Sequence, residues 1–250
     1  MLCLVVFIMF LLPLRGESTC PTNSCGKIKI QFPFGLKQTQ IQAKSSNRCS
    51  YPRFEVSCDN NNRTILSLPG SGDLVVKSIN YMAQTVSVND PEGCLPNRFL
   101  QNLSLSLHPP FTFEATVYDL TFLRCPSNMT HSVPSPPISC LYSNSSSSSV
   151  TFSWWPLNST LSDKCEVISS AFVPIPNPDT TSFFMPDLNK DVVLKWNDPA
   201  CGDCAGRGQV CGFTADTKNT LQVGCFISAP NENQGTSSFF SSFTMFLFSF

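Results

Sequence analysis

Twelve cysteines between Cys20 and Cys225 set the terms on which this chain can fold: Cys20, Cys25, Cys49, Cys58, Cys94, Cys125, Cys140, Cys165, Cys201, Cys204, Cys211 and Cys225. Ahead of them runs an apolar stretch, Leu2 to Leu12, closed by Pro13 and followed by the small residues Gly16 and Ser18. That pattern predicts a secretory signal peptide over residues 1–18. The run is too short to span a bilayer, and a small-residue cleavage site follows it. Cleavage would remove the remaining cysteine, Cys3, and leave an even number in an oxidising compartment. Up to six disulfides are therefore expected, with a connectivity that spacing alone does not fix.

Five N-x-[ST] sequons agree with export: Asn62, Asn102, Asn128, Asn144 and Asn158. Each marks a surface position if glycosylated. Charged residues make up only 13% of the chain, so stability must come from apolar burial and cross-links. Each disulfide contributes about 2–4 kcal/mol, mainly by restricting the unfolded chain.

The net charge of −1 conceals an asymmetry. From Thr19 to Arg63 there are seven basic residues (Lys27, Lys29, Lys37, Lys44, Arg48, Arg53 and Arg63) against Glu55 and Asp59, a balance of +5. From Thr64 onward eight basic residues face fourteen acidic ones, a balance of −6. A basic segment on a nearly neutral protein can attract a polyanion without making the whole surface adhesive.

Strand patterns dominate. Lys27 to Phe32 alternates, with Ile28, Ile30 and Phe32 on one face and Lys27, Lys29 and Gln31 on the other. Phe54 to Cys58, Thr64 to Leu68, Leu74 to Ile79, Thr85 to Val88 and Leu103 to Leu107 read as further short strands. Phe111 to Val117 reads as one strand with Phe111, Phe113, Ala115 and Val117 inward. No window carries a sustained helical repeat, so helix should be scarce. The Pro- and Ser-rich stretch 126–149 reads as a surface connection between two lobes. Beyond it, Asp191 to Trp196 is the best strand, with Val192, Leu194 and Trp196 on one face. The expected fold is mainly β and disulfide-rich, with two small antiparallel lobes, long loops and little helix. Its divisions are a signal peptide (1–18), a first domain (19–125), the connection (126–149), a cysteine-rich domain (150–226) and a polar spacer with a short apolar tail (227–250).

The chemistry of catalysis finds little footing. His108 and His131 are the only histidines, and no nucleophile elbow, zinc-protease helix or phosphate loop is present. Glu55, Glu114 and Asp119 are the carboxylates on or near strands that a glycosidase could use, but scattered strand carboxylates are usually solvated. Cys201-x2-Cys204 with Cys211 and Cys225 could ligate zinc, though export favours disulfides. The sequence calls for no cofactor and no metal. A basic patch can also serve nucleic acid, which an exported chain does not meet. An acidic polysaccharide suits the compartment better: its rings stack on aromatic side chains and its carboxylates take charge-assisted bonds. The candidate ligand-binding residues are Lys27, Lys29, Phe34, Arg48, Tyr51 and Arg53.

Two motif runs carry a family resemblance. Cys25-Gly26, Ile30-x-Phe32-Pro33-Phe34-Gly35 and Cys49-x-Tyr51-Pro52-x-Phe54-x-Val56-x-Cys58 resemble the galacturonan-binding domain of plant wall-associated receptor kinases. Trp196-Asn197-Asp198-Pro199-x-Cys201-x2-Cys204, then Cys211-Gly212-Phe213 and Gly224-Cys225, resembles the cysteine-rich domain that follows it in those receptors. Such ectodomains occur with a cytoplasmic kinase or with a RING-H2 ubiquitin-ligase finger, and Leu68 to Leu100 looks closer to the RING-H2 branch. The resemblance implies a non-catalytic, exported ectodomain that binds pectin. The alternative it implies is the truncated ectodomain of a receptor-like kinase or membrane RING-H2 protein, with a protein or peptide ligand. Only twenty-five residues follow Cys225, without cysteine or histidine, so neither a RING nor a kinase is expected. Membrane association is expected, if at all, only through the tail Phe239 to Phe250, as a glycolipid-anchor signal or the stump of a span.

Overall fold

The computed structural model describes residues 22–37, 49–101, 103, 109–129, 135–141, 147–154, 163–176, 186–214 and 221–227. The signal peptide, the tail, Cys20, Arg48, Asn102, Asn144, Asn158 and most of the Leu103 to Leu107 alternation lie outside the described residues.

The alternation at Lys27 to Phe32 becomes half of a hairpin. β1 (Asn23–Cys25) and β2 (Ile28–Ile30) pair antiparallel around a two-residue turn, Gly26-Lys27. Only glycine fits the first turn position. Its φ is +57°, and a Cβ there would sit 2.2 Å from the Asn62 carbonyl oxygen. The hairpin thus lies directly on the turn around Asn62. Cys25–Cys58 fastens it covalently, and the Thr64 hydroxyl donates to the Cys25 carbonyl at 3.1 Å.

A seven-stranded sheet follows. Its strands are β3 (Gly35–Leu36), β4 (Glu55–Cys58), β5 (Thr64–Leu68), β6 (Gly72–Asn80), β7 (Thr85–Asn89), β8 (Phe111–Phe113) and β12 (Val192–Trp196). The spatial order is β3-β4-β5-β6-β7-β12-β8, antiparallel except for the parallel pair β3–β4. Period-two patterning selects the inner face. Leu66, Leu74, Val76, Val86, Val88, Val192, Leu194 and Trp196 are buried on it. The sheet curls. Phe34 and Phe54, just before its first two strands, meet Phe111 and Trp196 near its far edge, with ring centroids 5.0–6.1 Å apart.

A second, three-stranded sheet has the order β10-β9-β11, formed by β9 (Thr116–Pro126), β10 (Ser148–Ser153) and β11 (Glu166–Ile175). Its inward residues Leu120, Phe122, Phe152, Ala171 and Val173 join the same core as Phe34, Phe54 and Trp196. Among the described residues helix occurs only in short pieces, chiefly α1 (Leu95–Leu100) and α2 (Gly202–Gly206), with two single 3-10 turns. A last hairpin, β13 (Val210–Phe213) with β14 (Val223–Phe226), closes the described chain.

Strand dominance, scarce helix and the disulfide framework agree with the sequence reading. Three details differ. Phe111 to Val117 is two strands in two sheets: the Glu114 amide donates to the Val193 carbonyl (3.0 Å), the β8–β12 ladder ends there, and the chain turns into the other sheet. Val117 consequently faces out, 40% exposed. The serine run is not all connection, because Ser148 and Ser149 open β10. Hydroxyls disguise that strand as loop. Thr151, fully buried, donates to the Ser135 carbonyl at 2.7 Å, and the Ser135 hydroxyl accepts the Phe152 amide at 3.0 Å. Finally, residues 126–149 do not divide two sheets. β12, from beyond that stretch, lies between β7 and β8, and Cys94–Cys140 and Cys125–Cys165 cross or flank it.

Candidate functional site

The hairpin β1–β2 presents the cationic feature that the sequence emphasised. With Ile28 half-buried and Ile30 buried beneath it, Lys29 points away from the core, and Lys27 stands exposed in the turn. The end of β2 is held by Tyr81 from the β6–β7 turn. Its hydroxyl donates to the Lys29 carbonyl and accepts the Gln31 amide, both at 3.0 Å. Burial pushes the Tyr81 phenol up to about 12 despite the amide it accepts. It therefore stays a neutral two-way link at any physiological pH, and the backbone under Lys29 is fixed.

The other basic residues of the segment are partly committed. Arg63 donates from Nε to Asp59 at 2.7 Å and from Nη1 to the Pro91 carbonyl at 3.0 Å. The Asp59 carboxyl is held below its ordinary value, chiefly by the Arg63 amide, with the Arg63 guanidinium and the Asn61 amide adding to it against the cost of burial. Arg53 occupies a turn at φ +71° and is exposed, but its Nη1 donates to the Pro109 carbonyl at 2.7 Å. It is thus anchored beside the entry to β8, whereas Lys27 and Lys29 stand over the turns at Asn62 and Tyr81. Lys37 is exposed just after β3.

Phe34 and Tyr51 require correction as ligand-stacking residues. Phe34 is 1% and Tyr51 7% exposed. Phe34 packs edge-on to Phe54 and Trp196 at 5.1 and 5.3 Å, and Tyr51 stacks on Phe213 at 6.0 Å. Their aromatic area serves the core, so no sugar ring can lie on them in this structure. Tyr51 does something the sequence reading missed. Its hydroxyl donates to Asp198 at 3.0 Å, across 147 positions of chain. The signal was present in both motif runs, which place a tyrosine in one and an aspartate in the other, but pairing them needs a fold.

The remaining candidates separate. Glu55 is half-exposed on β4, Glu114 lies 3.8 Å from Lys195, and Asp119 stands opposite Phe172 on the outer side of the three-stranded sheet. The four C-terminal cysteines form Cys201–Cys211 and Cys204–Cys225, so their thiolates are not available to a metal. Among the described residues no group of three or more histidine, cysteine or acidic side chains could hold a metal ion. Cys49 is disulfide-bonded as well. The sequon residues Asn62 and Asn128 are both exposed.

The exposed cationic hairpin and its cysteine frame are also where the comparison with known families falls. Residues 20–90 match the family model described as "Wall-associated receptor kinase galacturonan-binding". The chain resembles the extracellular region of wall-associated receptor-kinase-like proteins. It is 33% identical over 240 residues to the Arabidopsis thaliana "Putative RING-H2 finger protein ATL21A", covering 93% of this chain and 61% of that protein. It is 33% identical over 236 residues to the RING-H2 finger protein ATL22 of the same plant, covering 91% of this chain and 59% of that protein. A more distant similarity, 26% over 203 residues, covers 77% of this chain and 30% of an Arabidopsis thaliana leaf rust 10 disease-resistance locus receptor-like protein kinase-like protein. The chain thus spans about 60% of the RING-H2 relatives' length. No solved structure matches. Among the described residues no helix is long and apolar enough to cross a membrane. The galacturonan-binding match ends at residue 90, one residue past β7, and so omits β12 and β8, which complete the same sheet.

Proposed function

We propose that this protein is an exported, non-catalytic ectodomain that binds de-esterified pectin through the outward face of the β1–β2 hairpin. The observation that carries the reading is the coincidence of two things. Lys27 and Lys29 are exposed on a hairpin whose backbone is locked by Cys25–Cys58 and Tyr81, and they lie within the stretch that matches a galacturonan-binding family. A polyuronate carries one carboxylate per sugar. Each exposed ammonium–carboxylate contact is worth only about 1 kcal/mol in water. Several such contacts along one polymer add through effective concentration, so a fixed spacing of cations matters more than any single charge. Lys37 and Arg53 are further exposed cations of the same segment, and Arg48 belongs to it in sequence. With the aromatic rings Phe34 and Tyr51 withdrawn into the core, charge rather than stacking supplies the recognition.

The test is retention of the purified full-length mature protein on immobilised polygalacturonate, with fully methyl-esterified pectin as control. Retention on the acidic polymer should fall steeply with added salt, be absent on the esterified one, and drop several-fold in a Lys27→Ala/Lys29→Ala variant. Retention indifferent to salt, to esterification and to that substitution would remove the pectin reading and leave a protein or peptide ligand in its place.

A further inference from the structure

A second cationic surface lies next to the hairpin, and residues far along the chain build it. The β6–β7 turn, the end of β12 and α2 enclose an open groove of about 640 Å³. Met82, Gln84, Lys195, Asp203 and Arg207 are among the residues that line it. Close approach of α2 to the turn makes the groove. A Cβ on Gly202 would meet the Met82 carbonyl oxygen at 2.7 Å, and the Gly202 amide donates to the Gln84 Oε1 at 2.7 Å. The Gln84 amide nitrogen in turn donates to the Trp196 carbonyl at 3.0 Å. The floor is therefore tied together by hydrogen bonds and the walls stay at fixed separation.

The groove chemistry is that of a charged, ring-bearing polymer. Met82 is 64% exposed, an apolar surface fitting the C–H face of a sugar ring. Lys195 and Arg207 are exposed cations. Arg207 has no ion pair among the described residues. Lys195 has a single carboxylate, Glu114, at 3.8 Å with both side chains nearly half exposed, an arrangement that contributes little and yields readily to another carboxylate. Asp203 is the one acidic side chain in the lining. Arg207, without an ion pair among the described residues, and Lys195, held only by that exposed pair, stand out because the chain beyond Thr64 is net acidic. An open trough admits a chain that enters at one end and leaves at the other.

Position supplies the second argument. The residue before Met82 is Tyr81, whose hydroxyl holds the Lys29 carbonyl. The groove therefore begins at the residue that follows the tyrosine whose side chain fastens the cationic hairpin, on the same turn. We propose that the groove is a second subsite for the same polyuronate, so that a long chain lies over Lys27 and Lys29, crosses the β6–β7 turn, and is gripped again by Lys195 and Arg207. This rests on the galacturonan reading above. It makes the binding surface a joint product of the family-matched segment and the cysteine-rich part of the chain.

The test compares trigalacturonate with a long oligogalacturonide on the intact protein, by calorimetry at low salt. Wild type should bind the long oligomer at least about tenfold more tightly than the trimer, the modest end of what linked subsites give. Lys195→Ala/Arg207→Ala should abolish that advantage and leave the salt-dependent binding at the hairpin. Lys195→Arg/Arg207→Lys, which keeps both charges, should restore the advantage and so separate charge from any structural effect. A groove variant that keeps the full length advantage, while Lys27→Ala/Lys29→Ala loses binding, overturns the second subsite and spares the galacturonan reading. If neither pair of substitutions alters binding to either oligomer, both fall.

Discussion

The curled seven-stranded sheet and the C-terminal unit of α2, β13 and β14 are stabilised in opposite ways. The sheet closes over a dense aromatic cluster, in which Phe34, Phe54, Phe111 and Trp196 are each at most 1% exposed. The C-terminal unit buries Cys204, Cys201 and Cys211 but few large side chains, and two disulfides span its 25-residue length. Fully burying one large apolar side chain is worth about 1.5–3 kcal/mol, so a cluster of four aromatics supplies most of what holds the sheet, while Cys25–Cys58 fastens the β1–β2 hairpin to β4. A glycine-rich hairpin has no such reserve and depends on a restricted unfolded state. The difference shows why the two motif runs differ in kind: one is rich in Phe and Tyr, the other in Gly and Cys. They are nonetheless joined. Phe213 stacks on Tyr51 and packs on Phe32, and Asp198 accepts the Tyr51 hydroxyl.

That contrast can be broken in graded steps. The largest effect is expected from Trp196→Ala. It opens the aromatic cluster at its centre and should cost about 3–5 kcal/mol in chemical denaturation. Hydrogen exchange in that variant should rise in β3 and β4 as well as in β12, because the ring touches Phe34 and Phe54. Cys204→Ser/Cys225→Ser comes next, at about 2–4 kcal/mol. Here exchange should accelerate first in residues 202–226, with β5, β6 and β7 still protected. Loss of protection across the sheet before the hairpin opens would contradict the division of labour drawn above.

A smaller effect sits at the start of α1. Asp90 is buried and receives the Arg98 guanidinium and the amides of Cys94 and Glu92. Burial works against its charge, but these bonds outweigh it and hold the carboxyl below its ordinary 3.8. A carboxyl depressed in the folded state contributes stability above its unfolded value and loses that contribution as pH falls through the folded one. Stability should therefore drop as pH is lowered below about 4, and Asp90→Asn should flatten that part of the profile while costing about 1–3 kcal/mol at neutral pH. The smallest step is Tyr51→Phe, expected to cost about 1 kcal/mol by removing one hydrogen bond to Asp198 while keeping the ring stack. A denaturant midpoint unchanged by this substitution would show that Phe213 alone carries the junction.

How much of this could be read from the chain varies by residue. The strands at Thr85 to Val88 and Asp191 to Trp196 were legible because one face is buried and the other wetter, which period-two alternation reports directly. Thr64 to Leu68 and Leu74 to Ile79, where Ile65 and Val75 are buried on the second face too, were legible as short apolar runs between turn residues. β10 was not, since its buried Ser149, Thr151 and Ser153 look like loop in composition, although the Thr151 hydroxyl is satisfied inside on the Ser135 carbonyl. The break at Glu114 was hidden because apolar alternation continues across it while the strand changes sheet. Of the two hairpin lysines, Lys29 was legible as exposed on the outer face of an amphipathic strand, while Lys27 falls in the turn that precedes it. Phe34 and Tyr51 were misread, because an aromatic beside basic residues in sequence says nothing about which side of the core it occupies. Lys195 and Arg207 carried no signal at all. Their relation to Lys29 runs through Tyr81, Met82 and Gln84, and exists only once β12 is inserted beside β7.

Through that insertion the family-matched segment and the cysteine-rich part share one sheet and one core. Thermal unfolding of the intact oxidised protein, followed by calorimetry and near-ultraviolet dichroism together, addresses it most directly. A single transition seen alike by both probes, with calorimetric and van't Hoff enthalpies in agreement, is the expected result. Two resolved transitions, one melting β3 to β7 and the other β9 to β12, would show two independent lobes and contradict it.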